Sequence, residues 1–460
     1  MTYPMKRLLL ASLLALSGCS SLSTPAPDPE LQVPAHWTTV TAGELKNAET
    51  WWTNFGDPQL NRLIEQALRR NNDFATAALR VRRAQLQAAQ VDTNRTPNVS
   101  VSASAAQTHT FDPAATFNSS GTSVALGFEL DLWGKLASQR AAARLEAEAS
   151  EADCRAFAIS LLGTTSQLYW QLAYLNQQLA LSTADIDYAQ RTLDLTQARY
   201  TAGAVSGLNT VQAELNLSTQ EAARTQLVQQ RVETRHALAL LLNQPPETDV
   251  IEPTAFNQAA LPEVAAGLPA EMLANRPDLY SAERRLRASL ANVDYTRTYF
   301  YPTFSLTGAL GTSSSTLLNL LQNPAAVLGV GLSLPFVQWN TTQLAIRVSE
   351  NQYEEAVINY RQRLYSALAE VEGSLSGRAQ LLAAAEKLEL AMGQARRAES
   401  IAETRYKAGM TDIQLWLDAQ ARRRSIERSL LLNRYNQLNT QATLYRALGL
   451  GAGSELVRCH

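Results

Sequence analysis

Three cysteines, four histidines and five methionines stand among 460 residues. Three cysteines are too few for a disulfide scaffold. The histidines, His36, His109, His236 and His460, are dispersed, so ordinary surface or packing roles are expected and no metal site. Cys154 reads as a buried small apolar residue, and Cys459 lies near the C-terminus of the sequence. Charge of one sign is lacking too: 40 Lys and Arg against 42 Asp and Glu give a net charge of −2. Without a basic excess, nucleic-acid binding is not expected. Beyond the N-terminus there is no apolar run of about 20 residues, so no mature transmembrane helix is expected. HExxH, GxSxG and P-loop patterns are missing. Gly329-Val330-Gly331-Leu332 lacks the third glycine of a dinucleotide fingerprint and falls inside an alternating strand pattern. No catalytic residue is assigned, and an enzyme has no supporting site. Proline is missing from 136 to 244, so nothing forces a kink there.

What is present begins with an address. Lys6 and Arg7 precede the apolar run Leu8 to Leu16, which is too short to span a bilayer and reads as a secretory core. Leu16-Ser17-Gly18-Cys19 follows directly and looks like the lipobox of bacterial lipoproteins. That resemblance implies removal of residues 1–18 and covalent lipid on Cys19, the one attached group expected. Ser20, being other than Asp, implies outer-membrane sorting in the same pattern. Pro25, Pro27, Pro29 and Pro34 make residues 20–36 an extended tether.

The chain is also written twice. Pro97 meets Pro302 at an offset of about 205, and Ala198-Arg199-Tyr200-Thr201-Ala202-Gly203 meets Thr404-Arg405-Tyr406-Lys407-Ala408-Gly409 at about 206. Each copy, 57–243 and 268–448, has one internal order. A helix comes first, over 57–95 and 268–300, rich in Ala, Leu, Gln and Arg and free of glycine. Two strands follow, then a very long helix over 136–201 and 342–407, then a return helix over 208–243 and 412–448. At 1.5 Å per residue, the stretch 136–201 is roughly 100 Å of helix.

The strands alternate with period two. Residues 98–107 and 123–132 in the first copy, and 303–312 and 327–336 in the second, place Val, Leu, Phe and Ala opposite Ser, Gly, Thr and Ala. A half-buried soluble hairpin uses the same pattern. Three features favour transmembrane strands. Trp133, Tyr301 and Trp339 sit at strand borders, as interface aromatics do. The loops 106–122 and 312–326 are rich in Ser, Thr, Asn and Gly, and the lipobox supplies a membrane. Four strands per chain cannot close a barrel, and open edges are not tolerated in lipid. The chain must therefore oligomerise; a dimer gives eight strands and a trimer twelve.

These pieces resemble the TolC family, and within it the outer-membrane factor lipoproteins of tripartite efflux systems of the RND type. The resemblance rests on Leu16-Ser17-Gly18-Cys19, Trp51-Trp52 with Phe55-Gly56-Asp57-Pro58, Leu130-Asp131-Leu132-Trp133-Gly134-Lys135, Asn275-Arg276-Pro277-Asp278, Tyr301-Pro302, Ala408-Gly409 and Leu417-Asp418-Ala419-Gln420. It implies an α+β membrane protein: a homotrimer with a 12-stranded outer-membrane β-barrel, continued by a long periplasmic α-helical barrel. It also implies a small equatorial domain from 19–56, 244–267 and 449–460. A periplasmic adaptor and an inner-membrane pump are the implied partners, and passive exit of drugs or other small toxic compounds the implied function. The hairpin tips at Gly203 and Gly409 would contact the adaptor. Asp418 would form a three-fold acidic ring at the periplasmic aperture, with Leu415, three residues earlier on the same face, as a hydrophobic constriction. Tyr406 matches the family tyrosine that ties the hairpins shut. The family's aspartate partner is replaced here by Leu208-Asn209-Thr210, which leaves a neutral hydrogen bond or no tie. Arg199 and Arg405 read as helix C-terminal charges. Arg422-Arg423-Arg424 reads as a solvated or inter-helix ion-pair face. Two other readings remain: an exit duct for type I protein secretion, and a periplasmic coiled-coil structural lipoprotein. The last predicts sustained heptads and no lipid-facing strands.

Overall fold

A computed structural model describes residues 24, 31–39, 47–257, 260–264, 269, 275–316, 321–451, 453, 457 and 459. Residues 1–18 and Cys19 lie outside the described residues. Among the described residues, seven long helices and four strands follow in order: α1 Pro58–Arg70, α2 Asn72–Asp92, β1 Asn98–Phe111, β2 Ala114–Leu130, α3 Lys135–Thr201, α4 Gly207–Leu241, α5 Pro277–Tyr299, β3 Thr303–Ser314, β4 Ala325–Ser333, α6 Trp339–Lys407 and α7 Ile413–Ala447.

The expected helix 57–95 is two helices. Asn71 takes an extended ψ of 124°, and its Oδ1 accepts from Phe74 N at 2.8 Å, which caps α2. Its Nδ2 donates to the Leu241 carbonyl at 2.9 Å, so the break fastens the end of α4. In the second copy the helix expected over 268–300 is described from Pro277, where proline occupies the first helical position.

The chain forms two compact units: described residues within Met1–Leu31, Arg80–Glu151 and Ser281–Gln362, and those within Gln32–Leu79, Ala152–Tyr280 and Arg363–His460. The second unit holds an aromatic core. Trp51, Trp52 and Phe55 are buried in a 3-10 stretch, Ala48–Phe55, with the Trp51 ring tilted 5.1 Å from Tyr445 and Phe55 4.9 Å from Trp170. Gly56 ends that stretch at φ +62°. Asp57 then caps α1 at the amides of Gln59 and Leu60 and accepts the Tyr169 hydroxyl at 2.8 Å. Arg276 is buried and forks onto Asp278, while its Nη1 reaches Glu370 and the Ala447 carbonyl, both at 3.0 Å. The motifs at 51–58 and 275–278 are therefore joints of this unit.

Cys154 and Cys459 form a disulfide with Cα atoms 6.1 Å apart. Cys154 is buried, as expected, but it is bonded rather than a free apolar filler. A pair 305 positions apart leaves no local spacing signal.

The long helices carry heptads that hydrophobicity hides. On α3 the buried positions Leu175, Gln178, Ser182, Asp185, Ala189, Thr192 and Thr196 step alternately by three and four. On α6 Met392, Ala395, Glu399, Ala402 and Tyr406 do the same. Thr192 and Thr196 satisfy their hydroxyls on carbonyls four residues back, so they pack as small side chains.

Candidate channel lining and gate

The first unit contains one antiparallel sheet in the order β1-β2-β3-β4. The register separates its faces, because directly paired residues point the same way. Val101 pairs with Val124, which pairs with Leu310; Val99 pairs with Leu126, Gly308 and Leu328 in turn; Phe128, Leu306 and Val330 make another row. All of these side chains stand on one face, yet Val101 is 76% exposed and Leu328 92%. The opposite face reads Ser102, Ser123 and Gly311 along one row and Ser305 with Gly331 along another. A Cβ on Gly331 would lie 2.5 Å from the Ser305 hydroxyl, which would have to rotate away to admit it.

The strands run further than alternation indicates. Residues expected in the loop 106–122 continue both strands to a two-residue turn at Asp112-Pro113. Gln107 donates to Asn118 at 3.1 Å and His109 meets Thr116 at 2.8 Å, so polar pairs replace the apolar face. β4 stops at Ser333, short of the expected 336, because Pro335 has no amide for the ladder and opens a 3-10 turn. At the other strand border Trp133 packs edge-on against Tyr301 at 5.6 Å and donates to the Pro302 carbonyl at 2.8 Å. Trp339 is exposed.

In the second unit the helical hairpins turn at Gly203 (φ +73°) and Gly409 (φ +72°). In each, backbone amides after the glycine close on carbonyls of the preceding turn, Ala204 N to Arg199 O and Met410 N to Arg405 O. Tyr406 is fully buried beneath these turns, stacked on Trp416 at 5.4 Å. Its hydroxyl lies 3.4 Å from that of Thr196 on α3. Tyr406 thus meets a neutral hydroxyl at Thr196 of the first hairpin. The Arg199 guanidinium sits 4.7 Å over the Tyr406 ring and donates to the Tyr406 carbonyl at 2.6 Å. Arg199 therefore does act at a helix C-terminus, but at that of α6, and it links the two hairpins. Sequence reading missed this crossing. Tyr188 packs on Trp416 from α3, and burial, then Glu399 and Glu403, push its phenol up to about 12.

Asp418 and Leu415 share the exposed side of α7. Asp418 accepts from Gln414 at 2.8 Å, and Leu415 is 47% exposed. Both lie along a groove between α6 and α7 that also holds Arg405 and Arg422. The three consecutive arginines go three ways. Arg423 binds Glu399 on α6 at 2.6 Å, Asp185 on α3 at 3.2 Å and Glu427 on its own helix. Burial alone would lower the Arg423 guanidinium, but these carboxylates outweigh it and hold it above its ordinary value. Arg424 is buried against Asn216 of α4 at 3.2 Å. Burial, with Arg423 and Arg428 beside it, lowers that guanidinium.

No helix among the described residues is long and apolar enough to cross a membrane. The sequence profile described as outer membrane efflux protein matches residues 63–244 and again 268–450. The chain belongs to the outer membrane efflux protein family. Pyoverdine export outer membrane protein OpmQ of Pseudomonas putida is 30% identical, with 98% of each chain covered. Cation efflux system protein CusC of Escherichia coli O6:H1 is 29% identical over 97% of this chain and 99% of the relative. Among solved structures, that of the outer-membrane channel OprN superposes with a TM-score of 0.86 at 26% identity, covering 94% of this chain and 99% of that one.

The tandem match is the duplication seen in the sequence. The chain has the fold of a trimeric outer-membrane channel: four strands as its share of a twelve-stranded barrel, and long helices for a periplasmic helical barrel. β1 and β4 each pair on one side only. Three copies close the barrel by joining β1 of one protomer to β4 of the next, which leaves no edge in lipid. The apolar rows then face lipid and the Ser–Gly rows the interior. The protein is an outer-membrane exit channel of an efflux system, reaching into the periplasm. The heptads that a coiled-coil tether would show are present, but so is the lipid-facing sheet, which a tether lacks.

Proposed function

We propose that this channel receives small organic or toxic compounds from an RND-type inner-membrane pump through a periplasmic adaptor, and that Asp418 and Leu415 line its narrow periplasmic end. The one-faced apolar sheet with two unpaired edges carries the channel reading. The gate reading is supported by the exposed, shared face of Leu415 and Asp418 and by Gln414 holding the carboxylate. Tyr406 and Arg199 act behind that face by holding the two hairpins together. The glycine turns at 203 and 409 are the surfaces offered to the adaptor, and the lipid on Cys19 anchors the tether of residues 19–36. Segments 19–56, 244–267 and 449–460 are assigned to the equatorial domain. Relatives named for pyoverdine, toluene and cations differ in cargo while sharing this chain's full length. Cargo choice is assigned to the pump and adaptor. The test is dye efflux in cells that hold a matched pump and adaptor but no exit channel. Expression of this chain is expected to lower intracellular dye several-fold. Unchanged dye, with trimers present in the outer membrane, would contradict the proposal.

A further inference from the structure

The segment after α7 is held down by tight backbone turns and one covalent bond. Gly449 (φ +74°) packs so close to Asn275 that a Cβ would lie 2.5 Å from its carbonyl oxygen. Gly451 (φ +92°) then passes over Leu162 and the Trp51 ring. The Gly453 amide donates to Glu49 at 2.6 Å. Cys459 ends buried on Cys154. Two points of the tail meet α3: Gly451 at Leu162 and Cys459 at Cys154. Every group here lies in the second unit. The family match ends at residue 450, so the bonded part of the tail lies outside it.

We infer that maturation of this channel includes a periplasmic thiol oxidation that latches the C-terminal tail over the Trp51 core. The co-reactant is a disulfide-bearing oxidant of that compartment. One protein thiolate attacks the oxidant's disulfide, giving a mixed disulfide and one free oxidant thiolate. The second protein thiolate then displaces the other oxidant sulfur. The Cys154–Cys459 bond forms, the oxidant becomes a dithiol, and the two protons pass from the protein thiols to the oxidant. Cys154 is 1% exposed and Cys459 4%. An oxidant reaches them only before the tail is seated, and a reductant does not reach them afterwards. Cys19 is withdrawn from this exchange by the lipid proposed for it, but the latch needs only the other two sulfurs.

The test starts from wild-type trimer taken from outer membrane without reductant. It is denatured and alkylated, then reduced and alkylated with a heavier reagent, and the peptides are weighed. Cys154 and Cys459 are expected to carry only the second label. Both carrying the first label overturns the inference, whatever Cys19 carries. Separately, Cys154→Ser, Cys459→Ser and the double variant are compared by trimer melting and by protease cleavage of the tail. All three are expected to lose the same number of degrees and to gain the same cleavage. Unchanged melting and cleavage in all three overturns the latch. The labelling needs no variant to fold and reads no conductance, so its failure is separable from failure of the channel reading.

Discussion

At the residue scale, Arg199 makes two contacts with one guanidinium, over a ring and onto a carbonyl, and both belong to Tyr406. A charge-assisted hydrogen bond of this kind contributes about 1.5–3 kcal/mol, less where solvent reaches it. Arg199→Ala is expected to lower trimer stability by about 1–2 kcal/mol and to raise the mean conductance, because the hairpins lose their link behind the gate face. Thermal melting and single-channel recording check the two halves. A second prediction concerns acid. Burial would raise the Asp278 carboxyl, but Arg276 outweighs it and holds it below the usual carboxylate value. A lowered carboxylate stabilises fully above its unfolded value of about 3.9 and loses that contribution as pH falls through its folded value. The melting-temperature gap between wild type and Asp278→Asn is expected to stay constant from neutral pH to about 4 and to close below it. A gap that persists at lower pH contradicts the pairing. Some of this was legible in sequence and some was not. The shared face of Leu415 and Asp418 follows from an i, i+3 spacing, whereas their gate role came from the family resemblance. Arg199 with Tyr406 and Cys154 with Cys459 are separated by 207 and 305 positions, so only the folded chain brings them together.

At the element scale, legibility tracks polarity. The membrane halves of β1 and β2 announce themselves through alternating Val and Ser. Their outer halves do not, because Gln107–Asn118 and His109–Thr116 put polar groups where the apolar face was. The break at Asn71 had a local signal, an Asn-Asn-Asp run able to cap a helix, which uniform Ala and Leu content masked. The heptads of α3 and α6 were hidden by Gln, Ser, Asp and Thr at seam positions. The two faces of the sheet give a paired prediction. Val101→Arg places a charge on the lipid face and is expected to cost about 2–4 kcal/mol per chain, seen as loss of folded trimer. Ser102→Arg, one residue on, is expected to leave trimer yield intact and to reduce conductance. Equal loss of trimer in both variants would contradict the assigned faces.

At the scale of the whole molecule, the duplication and the strand count already required an oligomer, since four strands with open edges cannot rest in lipid. Choosing three copies took the family. The proposed acidic ring of Asp418 in this trimeric channel is tested most directly by single-channel current in a planar bilayer, wild type beside Asp418→Ala. The expected result is a small, cation-preferring conductance for wild type and loss of much of that preference in the variant. A purified protein that forms no trimer and carries no current at any voltage or pH would contradict the claim.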